Sequence, residues 1–146
     1  MQNVIEEIGK NYEVIQLGTN KEPLLNNVLD GRSLTIKESA NLLAHAEFFI
    51  GQVGFLMHLA RAVETRSVII YGGREKAWQS GYPCNENIET HPECSPCWQN
   101  NCCDFNRKCL DLIKAEDVIT AINRLQKRFS DELETEEVNL EERCGN

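Results

Sequence analysis

Three short β-rich runs each close on glycine, and that pattern constrains this chain more than any other feature. Residues 12–17 (Tyr-Glu-Val-Ile-Gln-Leu) stop at Gly18, residues 47–50 stop at Gly51, and residues 67–71 stop at Gly72-Gly73. The segments between them carry helical spacing. Val4, Ile5 and Ile8 fall on one face of a helix over 3–10. Thr35 with Glu38 is a capping box, and it opens a helix through 46 whose expected apolar stripe is Ile36, Ala40, Leu43 and Ala44. Residues 54–63 form an apolar helix. Alternating helices and buried strands predict βαβ units with right-handed crossovers. The expected fold is therefore α/β: a Rossmann-like parallel sheet flanked by helices, within one unit over 1–130. Residues 19–33 hold Pro23, several Asn and Gly31, and read as a loop. A last helix starts near Asp117 and puts Val118, Ile119, Ile122, Leu125 and Phe129 on one side. Residues 131–146 read as an acidic tail, frayed and solvated.

Composition narrows the class. Fifteen basic residues against 23 acidic give a net charge of −8, the wrong sign for a protein that works by neutralising phosphates of a nucleic acid. No apolar run approaches the ~20 residues that span a bilayer. The start, Met-Gln-Asn-Val-Ile-Glu-Glu, has neither the basic nor the apolar part of a secretory signal, so the expected location is cytoplasmic.

The first chemical motif is Gly51-Gln52-Val53-Gly54-Phe55, a strand end followed directly by a helix. Backbone N–H groups of Val53, Gly54 and Phe55 are expected to point outward at a helix N-terminus, where partial positive charge suits a phosphate or diphosphate. His58, one turn into that helix, is either a donor to the same ligand or a histidine bonded within the protein. Gly18-Thr19-Asn20-Lys21 and Tyr71-Gly72-Gly73-Arg74 are two further glycine-bearing strand ends on the same expected edge. Either turn alone reads as plain geometry; three on one sheet edge suggest a single anionic ligand.

The second motif is cysteine. Five of the seven cysteines lie between Cys94 and Cys109. Cys94-Ser-Pro-Cys97 is a two-thiolate knuckle, and Cys103 and Cys109 follow at equal spacing to complete a tetrahedral site for zinc or iron. Cys102 is the alternative to Cys103, and His91 is a reserve ligand. A redox pair or reduced structural thiols are the competing readings. The loop 84–110 that holds them has little core of its own, so a metal there is expected to be structural. Cys84 and Cys144 are too distant to assign.

Four segments together resemble a known family: Val14-Ile-Gln-Leu-Gly18, the block from Phe49 through Gly54 and His58 to Ala62, Val68-Ile-Ile-Tyr-Gly72, and Cys94-Ser-Pro-Cys97-Trp with Lys108-Cys109-Leu. They look like the C-terminal half of family 9 glycosyltransferases, the heptosyltransferase-like enzymes of bacterial surface polysaccharide synthesis, lipopolysaccharide included. The resemblance implies the nucleotide-sugar half of a GT-B enzyme, with ADP-heptose as the usual donor. It implies that the backbone at Gln52, Val53, Gly54 and Phe55 holds the diphosphate, with His58 nearby and Gly18 and Thr19 lining the same cleft. It also implies zinc or iron on Cys94, Cys97, Cys103 and Cys109. The acceptor site and catalytic base are expected on an N-terminal half or partner chain, near the inner membrane surface. Many members carry Asp-Ser-Gly where this chain has Gln52-Val53-Gly54, so a hydroxyl and a carboxylate are replaced while the amides remain. The alternatives are a non-catalytic nucleotide- or protein-binding module, and a small metal or redox protein built on the cysteines.

Overall fold

A computed structural model describes residues 1–98 and 103–144, with side chains through residue 131. The elements in chain order are α1 (Gln2–Ile8), β1 (Ile15–Gly18), β2 (Leu29–Arg32), α2 (Ile36–Ala44), β3 (Phe49–Gln52), α3 (Phe55–Ala62), β4 (Ser67–Ile70), α4 (Ala77–Ser80), β5 (Glu86–Ile88), α5 (Lys108–Asp111) and α6 (Ala115–Cys144). All strand pairs are parallel. β1 pairs with β2 in one sheet; β3, β4 and β5 lie in that order in a second. The fold is α/β with helices on both faces, as the glycine-closed runs predict.

β4 shows why. Its run Ser-Val-Ile-Ile is buried at every position, the signature of a parallel strand covered on both sides. Because side chains alternate across a strand, Val68 and Ile70 point to one face and Ile69 and Tyr71 to the other. On the first face they meet Val4 and Ile8 of α1 and Val118, Ala121, Ile122 and Leu125 of α6. On the second, Ile69 and Tyr71 pack on Met57 of α3, with Phe49 and Val53 beside them. The Tyr71 hydroxyl stays inside, donating to the Met57 sulfur at 3.4 Å, and its burial raises its pKa.

Several expectations need correction. Residues 19–33 are not wholly loop: β2 is a strand with a single apolar side chain, Leu29, and that one is half exposed. Its stability comes from pairing with β1, which no local pattern reveals. β5 likewise lies inside the stretch 84–110 read as loop. Glu86 anchors it, accepting from Arg124 at 3.0 Å and Arg128 at 2.9 Å of α6. The capping box of α2 forms as expected, with Glu38 Oε2 accepting from Thr35 N at 2.8 Å. Of its expected stripe Leu43 is buried, but Ile36 is 64% exposed and Ser39 is buried instead. Phe129 is also exposed, and the Arg66 guanidinium covers its ring at 4.2 Å. The acidic stretch from 131 continues the helix through Cys144. Its Glu, Leu and Arg are good helix formers, and charge does not cancel that preference.

Truncating Ile69 should show how much the structure depends on β4. Ile69→Ala is expected to lower unfolding stability by about 2–5 kcal/mol in urea titration, whereas Ile36→Ala should change it by no more than about 0.5 kcal/mol.

Candidate functional site

The turn after β3 is fixed from behind. The Val53 N–H donates to the Ile70 carbonyl of β4 at 3.1 Å, so this amide belongs to the sheet and not to a ligand. Val53's side chain joins the core beside Met57. Gly54 then takes φ 154°, a backbone conformation that side chains with a Cβ rarely adopt, and caps α3 without any side-chain partner. A Cβ placed on Gly54 would meet nothing within 4 Å, so the backbone here faces open space. The Gly54 carbonyl accepts from Met57 N at 3.2 Å. Among the described residues, no group accepts from the amides of Gly54, Phe55 or Leu56. Three outward donors at a helix N-terminus can hold a tetrahedral anion through hydrogen bonds and the positive end of the dipole.

Gly18, Thr19, Gln52, Gly54 and Phe55 line one cleft of about 1590 Å³ that opens between β1 and β3. The structure thus brings together five of the seven expected binding residues; Val53 and His58 do not line the cleft. His58 instead pairs with Tyr82, Nδ1 to hydroxyl at 2.8 Å, with the two rings edge to face. Arg61 sits over the same tyrosine at 5.9 Å. Nothing in the local sequence marks Tyr82 as the partner of a histidine 24 residues earlier.

Thr19 also differs from expectation. Its amide donates to Glu22 Oε2 at 3.1 Å, and the Glu22 amide returns to the Thr19 carbonyl at 3.0 Å. A carboxylate therefore occupies the place a phosphate oxygen would take at this turn. The same oxygen would lie 2.1 Å from a Cβ on Gly18, whose φ is 144°. Glycine is needed at that point for its conformation. Arg32 ties the turn down, donating Nη1 to the Glu22 carbonyl at 2.5 Å. Arg32 is itself gripped by Asp30 through Nε and Nη2, each at 2.8 Å. These hydrogen bonds hold the Asp30 carboxyl at about 2, well below its ordinary range.

The third glycine turn packs against the cysteines. Gly73's carbonyl accepts from Cys97 N at 2.8 Å, and a Cβ on Gly73 would lie 3.1 Å from Cys109 Sγ. Cys103 Sγ accepts from Arg107 N at 3.4 Å. Cys84, Cys94, Cys97, Cys103 and Cys109 are all free thiols. Among the described residues no three His, Cys, Asp or Glu side chains converge as metal ligands, and Cys102 lies outside those residues. His91 is engaged elsewhere, with Lys76 Nζ on its Nδ1 and Glu89 at 3.5 Å from its Nε2. No helix among the described residues is long and apolar enough to cross a membrane.

Residues 16–106 match the sequence family described as glycosyltransferase family 9 (heptosyltransferase). None of the curated proteins matches the chain. Among solved structures, the chain is similar to the bacterial iron-containing dodecameric glycosyltransferase TibC from enterotoxigenic E. coli, with TM-score 0.73 and 24% identity over 86% of this chain and 39% of that one. A second structure, described as dodecameric iron-containing heptosyltransferase TibC in complex with ADP-D-β-D-heptose, gives TM-score 0.72 and 23% identity over 86% and 38%. At these identities the likeness is one of fold, and the chain spans about two-fifths of the length of those structures.

The Asp30–Arg32 pair can be read directly. A carboxyl NMR titration should find Asp30 with a midpoint of about 2, and Arg32→Met should return it to its ordinary 3.8 or so. Because the folded value is the depressed one, the pair's contribution to stability is full above the ordinary carboxyl range. It is lost as pH falls from there through the folded value.

Proposed function

The chain belongs to glycosyltransferase family 9, and we propose that it is the nucleotide-sugar-binding half of a heptosyltransferase-like enzyme, with an N-terminal acceptor-binding half or partner chain completing the active site. One observation carries the reading: Gly54, Phe55 and Leu56, whose amides have no acceptor among the described residues, line the same cleft as Gly18 and Thr19. A fold relative is described in complex with ADP-D-β-D-heptose, and that molecule has the diphosphate such donors suit.

In sugar transfer with this donor, the bond from the anomeric carbon to the diphosphate oxygen breaks and negative charge builds on the departing ADP. Donors fixed before the reaction, at the positive end of α3, stabilise that charge most where it develops. The acceptor hydroxyl must lose a proton, and that base is assigned to the acceptor half. His58 is held by Tyr82 outside the cleft lining, so no ligand contact is assigned to it. Glu22 opposes the ligand at the Thr19 turn, since its carboxylate and a phosphate compete for one amide. A cytoplasmic setting at the inner membrane surface, with lipopolysaccharide or a related surface polysaccharide as the product, goes with this donor.

Cys94, Cys97, Cys103 and Cys109 are proposed to hold one structural iron or zinc. Four thiols suit either ion, the Cys97 amide and the Cys109 sulfur both lie against Gly73, and the fold relative is described as iron-containing. The thiols as placed do not meet at one point, so the ion and the closing of the loop 94–109 would come together. The metal supplies rigidity there, and no step of the transfer passes through it.

Proline at the first position of a helix removes an N–H without breaking the helix. Phe55→Pro is therefore expected to weaken ADP binding in calorimetry by about tenfold or more relative to Phe55→Ala, which keeps the amide. An unaltered chain that fails to bind ADP or ADP-heptose at millimolar concentration would overturn the reading. Elemental analysis should find about one iron or zinc per chain, depleted by Cys97→Ser and retained in Cys84→Ser.

A further inference from the structure

Lys76 is half-buried, whereas every other lysine of the chain is exposed. It stands at the N-cap of α4, where its amide donates to Gln79 Oε1 at 2.8 Å. Its side chain runs to the segment that follows β5. There Nζ donates to His91 Nδ1 at 2.5 Å and to Ser95 Oγ at 3.2 Å. An ammonium can only donate, so the Nδ1 it meets is the bare nitrogen of a neutral imidazole, and the ring hydrogen sits on Nε2. Glu89 Oε1 lies 3.5 Å from that Nε2. Glu89 is itself held, because its Oε2 accepts from the Ala77 amide at 2.8 Å, at the first residue of α4. The turn that carries Ser95 is closed by its amide on the Pro92 carbonyl at 2.9 Å.

Carboxylate, imidazole and amine thus follow one another in the order of an activated nucleophile. A base is within hydrogen-bond reach of the attacking group, and a third group orients the base. A lysine attacks only after it has lost a proton. His91 Nδ1 is placed to take that proton, and the Glu89 carboxylate offsets the charge the ring then carries. A hydroxyl at Ser95 stands beside the same nitrogen, ready to donate to an oxygen bound next to it. None of these four residues lines the cleft, so the cluster is separate from the nucleotide reading.

We propose that Lys76 is a nucleophilic lysine that condenses with aldehydes to a Schiff base, with His91 as its base, Glu89 positioning His91, and Ser95 donating to the carbonyl oxygen. Nζ gives a proton to His91 Nδ1, and the freed electron pair bonds to the aldehyde carbon as the carbonyl π pair moves to oxygen. A second nitrogen proton passes to that oxygen through the Ser95 hydroxyl, giving a carbinolamine. His91 then returns its proton to the new hydroxyl, which leaves as water while the nitrogen pair forms the C=N bond. One ammonium and one aldehyde give one protonated imine and one water, with no oxidant or reductant. Acyl transfer suits the cluster less well, because it calls for amides aimed at an oxyanion. On this loop the amides of Ser95 and Cys97 are already taken by the carbonyls of Pro92 and Gly73.

The test uses propanal as the probe. The chain is exposed to it for a series of short times, and sodium borohydride then traps each imine as a propylamine, read lysine by lysine by peptide mass spectrometry. Lys76 is expected to form its imine about tenfold or more faster than the exposed Lys21 and Lys37. His91→Asn keeps an acceptor for Nζ but removes the base, and should bring Lys76 down to the rate of those two. Glu89→Gln keeps an acceptor for the Ala77 amide but removes the charge, and should slow Lys76 by about threefold or more. Circular dichroism and the rates of Lys21 and Lys37 should be unchanged in both variants. A Lys76 no faster than Lys21 and Lys37 in the unaltered chain would overturn the proposal. So would a fast Lys76 that survives His91→Asn, where hydrogen bonding alone would set the rate, or one that survives Glu89→Gln.

Discussion

The Gly54 turn and the cysteine loop are both held in place by β4. Among the described residues it is the strand with hydrogen-bonded neighbours on both sides, and it is buried along its whole length. Its Ile70 carbonyl takes the Val53 amide, which forces the chain to turn at Gly54 and leaves the next amides pointing outward. One residue on, the Tyr71 amide reaches the Ile88 carbonyl and brings β5 alongside. Two residues further, Gly73 receives the Cys97 amide and leaves room for Cys109. The anion cradle and the cysteine loop are therefore built on consecutive residues of one rigid strand end, a suitable base for groups that must be positioned before a ligand arrives.

Sequence made the buried parts of this scaffold legible and the paired parts obscure. The β4 run and the Gly51–Gly54 spacing are local signals: apolar residues covered on both faces, and glycines where the backbone must turn or lie open. The α2 capping box is local in the same way. β2 and β5 depend on partners far along the chain. Leu29-Asp-Gly-Arg has one apolar residue and is a strand because β1 lies beside it; Glu86-Asn-Ile is one because it pairs with β4, with Arg124 and Arg128 holding Glu86 from α6. The site divides along the same line. The outward amides of Gly54 and Phe55 follow from strand, glycine and helix in succession. The capture of Val53's amide by β4, of Thr19's by Glu22 and of His58 by Tyr82 are tertiary events with no periodicity to announce them.

The replacement of Asp-Ser-Gly by Gln52-Val53-Gly54 fits this division. The residue at 53 has its amide in the sheet and its side chain in the core, so an apolar valine packs where a hydroxyl would seek a partner. Gln52 is exposed at the rim and uncharged, and it adds no repulsion toward a diphosphate. What the turn needs for anion binding resides in Gly54's backbone and the two amides after it. Of the glutamates that line the cleft, Glu22 is the one at the Thr19 turn, and its carboxylate sits on an amide that a phosphate would otherwise use.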